Sequence, residues 1–285
     1  MFSFIVSTID NSNTLDLCIN SINKIASIDD EIVIVHQGTK KEIIFNKFNK
    51  IEKITHLDQY GLSQARNAGA LLAGNEILVF LDDDVIINED YINNLENHFN
   101  NSIDAICGRI NIKDYNIGYI KPHNELLCKI NSSIFRLKKC LGGNLIIKKT
   151  DFHSVDGFDL SFGIGAKYGG AEDIDIILKL LLMKKNIVYA PDVIVYHPKE
   201  NQSNYELFSK KMYNYGRGEG AVLAKHISNY KIMLLNYIII LAKPLLNLLI
   251  HIFKLDLHQV RIFYNILNGR LVGFFEYLYF NRVNN

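Results

Sequence analysis

The first two hundred residues alternate between short apolar runs and amphipathic stretches. Five stretches are candidate strands, at residues 2–8, 31–35, 51–56, 77–81 and 105–112. Continuous apolar runs of this length are typical of strands buried on both faces of a parallel sheet. Leu15, Cys18 and Ile22 recur at helical spacing between the first two stretches. This alternation predicts right-handed βαβ units, and therefore an α/β fold with a mainly parallel sheet flanked by helices.

Polar caps and apolar spacing predict four helices in the same region. Residues 10–12 offer N-cap side chains for the first helix, and Ser63 offers one for a helix that runs to Gly74. Residues 90–99 are amphipathic, and a further helix opens at residue 171. The remaining predictions are a variable loop region and two short strands, at residues 113–140, 187–190 and 193–196.

Three consecutive aspartates, Asp82, Asp83 and Asp84, follow the apolar run at residues 77–81. Ligands of open α/β sheets bind outside the carboxyl ends of the strands, which is where these side chains fall. Neighbouring carboxylates repel one another unless a cation lies between them, and their oxygens suit a hard divalent metal. The sequence therefore predicts a metal that holds a phosphate-bearing substrate. The alternative is a solvated acidic loop that caps the next helix.

Two further features could bring polar groups to a phosphate. Arg66 lies in the first turns of the helix after Ser63, and an arginine at a helix N-terminus can bind a diphosphate. The alternative is an exposed arginine in a surface ion pair. Gly142 and Gly143 allow the backbone to approach a ligand or a neighbouring strand closely, although a simple bulge explains them equally well.

A glycine-rich loop at residues 163–170 precedes Glu172 and Asp173, which open a helix. Acidic residues are favoured in a first helical turn by the helix dipole, so a purely structural role is one interpretation. A carboxylate beside a mobile glycine loop is also a suitable general base. His197 ends the last candidate strand, and a lone histidine is usually structural unless a metal lies nearby.

The overall charge excludes a general attraction to nucleic acid, because 31 basic and 30 acidic side chains leave a net charge of +1. The cysteines form no CxxC pair, so neither a zinc site nor a disulfide framework is expected. They are interpreted as reduced, mostly buried thiols. The N-terminal run is interpreted as a first strand rather than a secretion signal.

Eight motifs follow one another across roughly residues 1 to 200. They are FIVST at residues 4–8, EIVIV at 31–35, the segment 61–67 with Ala65-Arg66-Asn67, FLDDD at 80–84, GGN at 142–144, GFD at 157–159, ED at 172–173, and His197. Each motif alone is weak, but the ordered set is specific. It resembles the family 2 glycosyltransferases of the GT-A fold, in particular those that make bacterial polysaccharides.

The resemblance implies a role for each matching residue. Asp84 would bind Mn²⁺ or Mg²⁺ between the phosphates of a nucleotide-sugar donor, Asp82 would lie near the ribose or the metal, and His197 could complete the metal shell. Asp173 would be the catalytic base, with Glu172 beside it. The implied donor-binding residues are Thr8, Arg66, Asn67, Asp82, Asp83 and Gly143. Members of the family invert the anomeric centre in one displacement, so no second nucleophilic carboxylate is required.

One position departs from the family pattern. Many members have an aspartate after the second strand that reads the nucleobase, whereas this chain has His36, Gln37 and Gly38 there. The nucleotide therefore stays open between UDP, dTDP and GDP.

The last quarter of the chain is far more apolar than the rest. Residues 232–253 are long enough to span a bilayer, but Lys243 would cost about 3 kcal/mol at its centre and Pro244 would kink the helix. Two half-helices in the membrane face are therefore expected, followed by an aromatic amphipathic stretch at residues 260–280. Nearby basic residues suit anionic lipid heads: Lys210, Lys211, Arg217, Lys225, Lys231, Lys254, Arg261 and Arg270. The alternative is a helical pack against the catalytic domain or a dimer partner.

These features predict two parts, a catalytic domain at residues 1–205 and a helical, membrane-associated region at 206–285. The expected function is transfer of a sugar to a glycan or lipid-linked acceptor in cell-surface polysaccharide synthesis, at the cytoplasmic face of the inner or plasma membrane. The alternative function is a catalytically silent homologue that binds nucleotide or organises a glycan-assembly complex. A nucleotidyltransferase is less well supported, because residues 10–13 are not the glycine-rich phosphate loop it would need after the first strand.

Overall fold

The strand before the three aspartates lies near the middle of a ten-stranded sheet formed by the described residues. The computed structural model describes residues 1–9, 14–38, 52–99, 102–114, 118–119, 126–198 and 204–283, so the predicted N-cap at residues 10–12 lies outside it. The strands are β1 (Phe2–Ile9), β2 (Glu31–Gln37), β3 (Glu52–Leu57), β4 (Ile77–Asp82), β5 (Ile86–Ile87), β6 (Ala105–Asp114), β7 (Gly118–Tyr119), β8 (Cys128–Lys129), β9 (Asn144–Lys148) and β10 (Ile187–Pro198).

The strand order places the acidic motif, Asp82 to Asp84, at the carboxyl ends of neighbouring parallel strands. The order is β3-β2-β1-β4-β9-β6-β10-β5, with β7 beside β6 and β8 beside β10. β1 pairs in parallel with β2 and β4, β2 with β3, and β6 with β10. β9 runs antiparallel between β4 and β6. The predicted mixed, mainly parallel sheet is thus confirmed, and the carboxyl ends of β1, β2 and β4 lie together.

Alternate residues of the central strands enter two separate hydrophobic clusters. Leu78 and Phe80 of β4 belong to one cluster, whereas Val79 and Leu81 belong to the other. Side chains alternate between the faces of a strand, and here both faces are covered. This explains why β4 is a continuous apolar run rather than an alternating one.

Helices cover both faces of the sheet. Among the described residues they are α1 (Leu15–Ile25), α2 (Leu62–Leu72), α3 (Tyr91–Phe99), α4 (Ile134–Leu137), α5 (Lys149–Ser154), α6 (Glu172–Leu182), α7 (Tyr205–Lys225), α8 (Met233–Phe253) and α9 (Leu257–Val283). The region at 113–140, expected to be irregular, contains β7, β8 and α4 in its described part. All four cysteines are free, and three of them are buried.

Three details predicted from the sequence are wrong. Ser63 does not cap α2, because the helix begins at Leu62 with Gly61 as its N-cap. The two short strands expected after α6 are one strand, β10, with a register shift between Ala190 and Ile194. An irregularity of this kind interrupts the pairing of β10 with β6 without ending the strand, which explains the gap in the pattern.

The third correction concerns Pro244, which lies inside the continuous helix α8. Two half-helices were expected because proline removes one hydrogen bond and crowds the preceding turn. Pro244 is buried among the described residues, together with Tyr237 and Ile240 on the same helix face. Packing of that face against the rest of the chain holds the helix together across the proline.

The three C-terminal helices pack onto the core of the sheet. Leu223 of α7, Tyr237 of α8 and Phe274 of α9 belong to the same hydrophobic cluster as Phe80 of β4. The predicted division after residue 205 falls at the first residue of α7 and stays a prediction. Of the described helices, α8 has the length and apolar composition of a membrane span, and about a quarter of its most apolar window is buried.

Candidate active site

The acidic motif and His197 converge at the carboxyl edge of the sheet. β5 begins two residues after Asp84 and pairs with β10, so that Tyr196 lies opposite Ile86 and the next residue is His197. One ligand atom each from Asp82, Asp84 and His197 lies within 4.8 Å of the other two. His197 Nε2 is 3.2 Å from Asp84 Oδ2. The topology thus brings together residues that are more than one hundred positions apart.

The residues of this cluster fit a hard divalent cation. Two carboxylates and an imidazole are acceptable ligands for Mn²⁺ or Mg²⁺. Asp84 Oδ1 is buried and has no hydrogen-bond partner among the described residues, so it is available to a ligand. Burial raises the pKa of Asp84, and the neighbouring His197 opposes this rise. A cation would stabilise the charged form of Asp84 that burial disfavours.

Asp83 has a different environment from the aspartates on either side of it. Its Oδ2 accepts a hydrogen bond of 2.6 Å from the Thr8 hydroxyl at the end of β1. Burial raises the pKa of Asp83, and this hydrogen bond lowers it in part. Thr8 and Asp83 therefore fix each other at the carboxyl ends of β1 and β4, and their predicted contact with the donor remains a prediction.

Arg66 is buried and pairs with acidic residues of two motifs, Asp82 of FLDDD and Glu172 of ED. It is 1 % exposed, although an exposed position at the start of α2 was one expectation. Its Nη2 lies 2.9 Å from Asp82 Oδ1, and its Nη1 lies 2.9 Å from Glu172 Oε1. Gly142 leaves the space that the guanidinium fills, because a side chain there would collide with Nη1. The described charge partners of Arg66 are thus carboxylates, and its contact with a diphosphate stays a prediction.

Asp173 is partly exposed, and its pKa is raised well above the usual value of a carboxyl group. It lies at the start of α6, where its Oδ1 accepts from the Ile174 amide at 2.7 Å and its Oδ2 from the Gly142 amide at 3.1 Å. Burial and, second, the charge of Glu172 raise the pKa of Asp173 to about 7. A carboxylate with a pKa near neutrality can accept a proton and release it again at physiological pH. Asp173 is therefore suited to general-base chemistry.

The glycine and amide motifs have mainly structural contacts. A side chain at Gly143 would collide with Asp82 Oδ2, so this glycine allows β9 to approach the acidic motif. Asn67 donates to the Phe158 carbonyl at 2.8 Å and accepts from the Phe158 amide at 2.9 Å. These bonds join α2 to the GFD motif at residues 157–159. The predicted donor-binding roles of Gly143 and Asn67 remain predictions.

Two residues at the site were missed as site residues by sequence reasoning. Lys211 of α7 was assigned to a lipid-facing basic group, yet its positive charge lowers the pKa of Asp84. Ser63 was assigned to a helix cap, yet its hydroxyl donates to the Phe162 carbonyl at 2.7 Å and joins α2 to the glycine-rich loop. The lysine pair at 210–211 was the available signal for the first, but nothing in its pattern indicated a partner 127 positions away.

His36 and Gln37, at the position where the family resemblance would place an aspartate that reads the nucleobase, make contacts within the protein. His36 Nδ1 lies 2.8 Å from His56 Nδ1, across the paired strands β2 and β3. Gln37 Oε1 accepts from the Gly61 amide at 2.6 Å. The last two side chains of β2 thus hold β3 and the start of α2 in place, and the identity of the nucleotide stays open.

Comparisons with known proteins identify the family and the fold. The family model described as glycosyl transferase family 2 matches residues 3–158, which is more than half of the chain. A search of curated proteins finds no match. Among solved structures, the mannosyltransferase PcManGT from Pyrobaculum calidifontis, in complex with GDP-Man and Mn²⁺, is similar with a TM-score of 0.66 at 14% identity. The alignment covers 96% of this chain and 87% of PcManGT.

Two other solved structures share the architecture. TarS from S. aureus matches with a TM-score of 0.55 at 17% identity, over 80% of this chain and 43% of TarS. GalNAc-T7 with UDP, GalNAc and Mn²⁺ matches with a TM-score of 0.57 at 18% identity, over 78% of this chain and 48% of GalNAc-T7. The chain thus spans less than half of these two proteins. At such identities the likeness shows the fold alone, and it confirms the expected GT-A architecture. The match over residues 3–158 establishes that the chain belongs to glycosyl transferase family 2.

Proposed function

We propose that the chain is an inverting, metal-dependent glycosyltransferase that moves a sugar from a nucleotide-sugar donor to a glycan or lipid-linked acceptor. The observation that carries this proposal is that one arginine connects the candidate metal-ligand cluster, formed by Asp82, Asp84 and His197, to the motif that contains the candidate base. The metal-ligand cluster includes Asp82, the candidate base Asp173 follows Glu172, and Arg66 bonds both Asp82 and Glu172. The metal would then act on the diphosphate that leaves the anomeric carbon, and the base on the acceptor hydroxyl that attacks the same carbon.

The residues of the chain account for a single displacement. Asp173 accepts the proton of the acceptor hydroxyl while that oxygen attacks the anomeric carbon. The bond from this carbon to the diphosphate oxygen breaks, and the electron pair leaves with the nucleoside diphosphate. Attack opposite to the leaving group inverts the anomeric centre, and no covalent intermediate forms.

The leaving group requires positive charge at the opposite end of the donor. Asp82, Asp84 and His197 would hold Mn²⁺ or Mg²⁺, which offsets the charge that develops on the departing diphosphate. Lys211 adds positive charge near Asp84. PcManGT and GalNAc-T7 are described with Mn²⁺ and with GDP-Man or UDP, which supports a metal and a nucleotide donor without distinguishing UDP, dTDP or GDP.

We further propose that the enzyme works on cell-surface polysaccharide at the cytoplasmic face of the inner or plasma membrane. Its support is the exposed face of α8, where Leu235, Ile238, Leu246, Leu249 and Phe253 are between 48% and 87% exposed. Exposed apolar patches of this kind mark interaction surfaces in folded proteins. A lipid-linked acceptor would be reached from the same surface.

A ligand-binding panel and one substitution test the catalytic proposal. Thermal unfolding is measured with UDP, GDP, dTDP or CMP, each with and without Mn²⁺ or Mg²⁺, because a ligand at a hundredfold excess over its Kd stabilises by about 2.7 kcal/mol. One nucleotide is expected to raise the Tm only with metal. Asp173→Asn is expected to retain this shift and to lose transfer.

The control for this substitution is Asp16→Asn, an exposed position on α1. It is expected to leave both binding and transfer unchanged. Full transfer activity in Asp173→Asn would reject the base assignment. A folded wild-type protein that responds to none of the nucleotides, with or without metal, would favour the silent homologue or scaffold.

A further inference from the structure

The glycine-rich loop at residues 163–170 is attached to the active site along one side. Ser63 Oγ donates to the Phe162 carbonyl at 2.7 Å, and the Leu62 amide donates to the Ile164 carbonyl at 2.9 Å. Gly163 has φ +98°, and a side chain there would meet the Ser63 hydroxyl, with Glu172 next to it. The loop therefore contacts the starts of both α2 and α6, where Arg66 and Asp173 originate.

The other side of the loop is held by the C-terminal helices. Arg217 Nη1 of α7 donates to the Lys167 carbonyl at 2.7 Å. The ring of Tyr168 lies 5.8 Å from that of Tyr277 on α9. A side chain at Gly218 would collide with the Gly170 carbonyl, so α7 lies directly against the end of the loop. The loop is thus placed between the catalytic residues and two helices outside the segment matched by the family.

Arg217 is fixed in one orientation by α9. Its Nε and Nη2 donate to the two carboxylate oxygens of Glu276 at 2.9 Å and 2.8 Å. A planar guanidinium can make such a bidentate pair and still direct a third N–H elsewhere, which an ammonium cannot do. Here the third N–H is the one that holds the Lys167 carbonyl. Arg217 therefore connects α7, α9 and the loop.

We propose that Arg217 is a positioning residue for sugar transfer. It holds the glycine-rich loop against Ser63 and Glu172 and thereby fixes the start of α6, from which Asp173 projects. The inference rests on the proposed glycosyltransferase function. It makes the C-terminal helices part of the catalytic unit rather than a separable membrane anchor, although Arg217 lies 59 residues beyond the end of the family match.

Two substitutions separate the loop contact from the ion pair. Arg217→Gln removes both the pair with Glu276 and the guanidinium N–H that reaches Lys167. Glu276→Gln removes the same ion pair, and with it the longer pair of 3.9 Å between Glu276 Oε1 and Lys167 Nζ, but leaves Arg217 able to donate to the Lys167 carbonyl. We expect kcat to fall about tenfold or more in Arg217→Gln, because small displacements of reacting groups cost up to about a hundredfold. The loss in Glu276→Gln should be smaller, at most about threefold.

Further measurements distinguish positioning from general destabilisation. Arg217→Lys, whose ammonium can still reach the Lys167 carbonyl, should recover part of the lost kcat. The nucleotide that stabilises the wild-type protein in the thermal-unfolding panel should bind all three variants, with Mn²⁺, with a Kd within about twofold of the wild-type value. The reason is that Arg217 has no described contact with the metal-ligand cluster. Glu206→Gln, an exposed charge on the same helix, is the control and should behave as wild type.

Hydrogen exchange provides a readout that does not depend on activity. The Tyr168 amide donates to the carbonyl of Ser161, just before the loop, and the Gly163 amide donates to the Gly170 carbonyl within the loop. These amides should exchange faster in Arg217→Gln than in Glu276→Gln. Equal kcat and equal exchange in these two variants would overturn the positioning role. A wild-type protein without transfer activity would reject the proposed function, whereas the exchange comparison would still decide whether Arg217 holds the loop.

Discussion

At the scale of single residues, Arg66 is central to the site because it pairs with both Asp82 and Glu172. Arg66→Met would leave the buried Glu172 carboxylate without its partner, and breaking a buried pair in this way costs about 3 kcal/mol of unfolding free energy. The charge of Arg66 also lowers the pKa of Asp173. In the proposed reaction transfer requires ionised Asp173, so wild-type kcat should rise with pH through about 7, and the midpoint should move to higher pH in Arg66→Met.

Arg66→Lys is the matched variant for this prediction. It retains the positive charge, so the midpoint of the pH profile should stay near the wild-type value. A single ammonium cannot reproduce the fork that bonds Asp82 and Glu172, so kcat should still fall. Both quantities are measured as kcat against pH at saturating donor, with urea unfolding for stability. An unchanged midpoint in Arg66→Met would show that Arg66 does not act on Asp173.

The sequence predicted which distant residues come together at the candidate site better than it predicted the contacts that each residue makes. Asp82, Asp84 and His197 were expected to share a metal, and the structure does place their ligand atoms together. The environment of Arg66 was not predictable, because its partners lie 16 and 106 residues away and no local pattern encodes them. The effect of Lys211 on Asp84 was missed for the same reason. Such contacts depend on how separate elements pack.

At the scale of secondary-structure elements, the crossing of α7 and α9 depends on glycines. Side chains at Gly216 and Gly220 would collide with the Ile266 and Arg270 carbonyls of α9. Gly273 of α9 faces the Arg217 carbonyl of α7 in the same way. The spacing of Gly216, Gly218 and Gly220 is visible in the sequence, and an amphipathic stretch at residues 260–280 was expected, but neither pattern indicates that the two segments pack against each other. Local patterns give the helices, and only the packed structure shows where two backbones meet.

This crossing predicts an unusual response to a glycine-to-alanine substitution. In an exposed helix Gly→Ala stabilises by about 1 kcal/mol, because alanine has the higher helix propensity. At Gly220 the added methyl group must displace the backbone of α9, and overpacking of this kind costs about 1–3 kcal/mol. Gly220→Ala should therefore lower the free energy of unfolding in urea.

The control is Lys210→Ala, at an exposed position on the same helix, which should change the stability by less than about 0.5 kcal/mol. A stability gain of about 1 kcal/mol in Gly220→Ala would mean that α7 and α9 are not in close contact there. Circular dichroism of each variant would confirm that the helices persist.

At the scale of the whole molecule, charge and apolar surface are concentrated in the same part of the chain. Residues 226–285 contain six basic and two acidic side chains, namely Lys231, Lys243, Lys254, Arg261, Arg270, Arg282, Asp256 and Glu276. The complete chain has a net charge of only +1, so the part before residue 226 is net acidic. The helix α8 belongs to the basic part and exposes much of its apolar face. Arg270 is buried and paired with Glu219, but the other basic residues and the apolar face together favour a surface of anionic lipid over a neutral apolar partner.

Membrane binding can be tested by vesicle flotation of the full chain. The variant combines Leu246→Gln, Leu249→Gln and Phe253→Gln, which are exposed and should not disturb the fold. Burial of each such side chain contributes about 1.5–3 kcal/mol, so the triple variant should lose at least about a hundredfold in partitioning. Wild-type binding should be stronger with phosphatidylglycerol than with phosphatidylcholine alone, and weaker at high salt.

The control for flotation combines Leu17→Gln, Leu71→Gln and Leu126→Gln, three exposed leucines outside the C-terminal helices. If lipid binding depends on the face of α8, this variant should float like wild type. Equal loss in both triple variants would assign the effect to general hydrophobicity. The wild-type protein could instead fail to bind vesicles, dimerise as its concentration rises, and lose that dimer in the α8 variant. This result would mean that the exposed face of α8 binds a second copy of the chain rather than a membrane. The metal-ligand cluster lies at the carboxyl edge of the sheet, Asp173 lies at the start of α6, and none of these residues belongs to α8, so either result would leave their proposed chemistry unchanged.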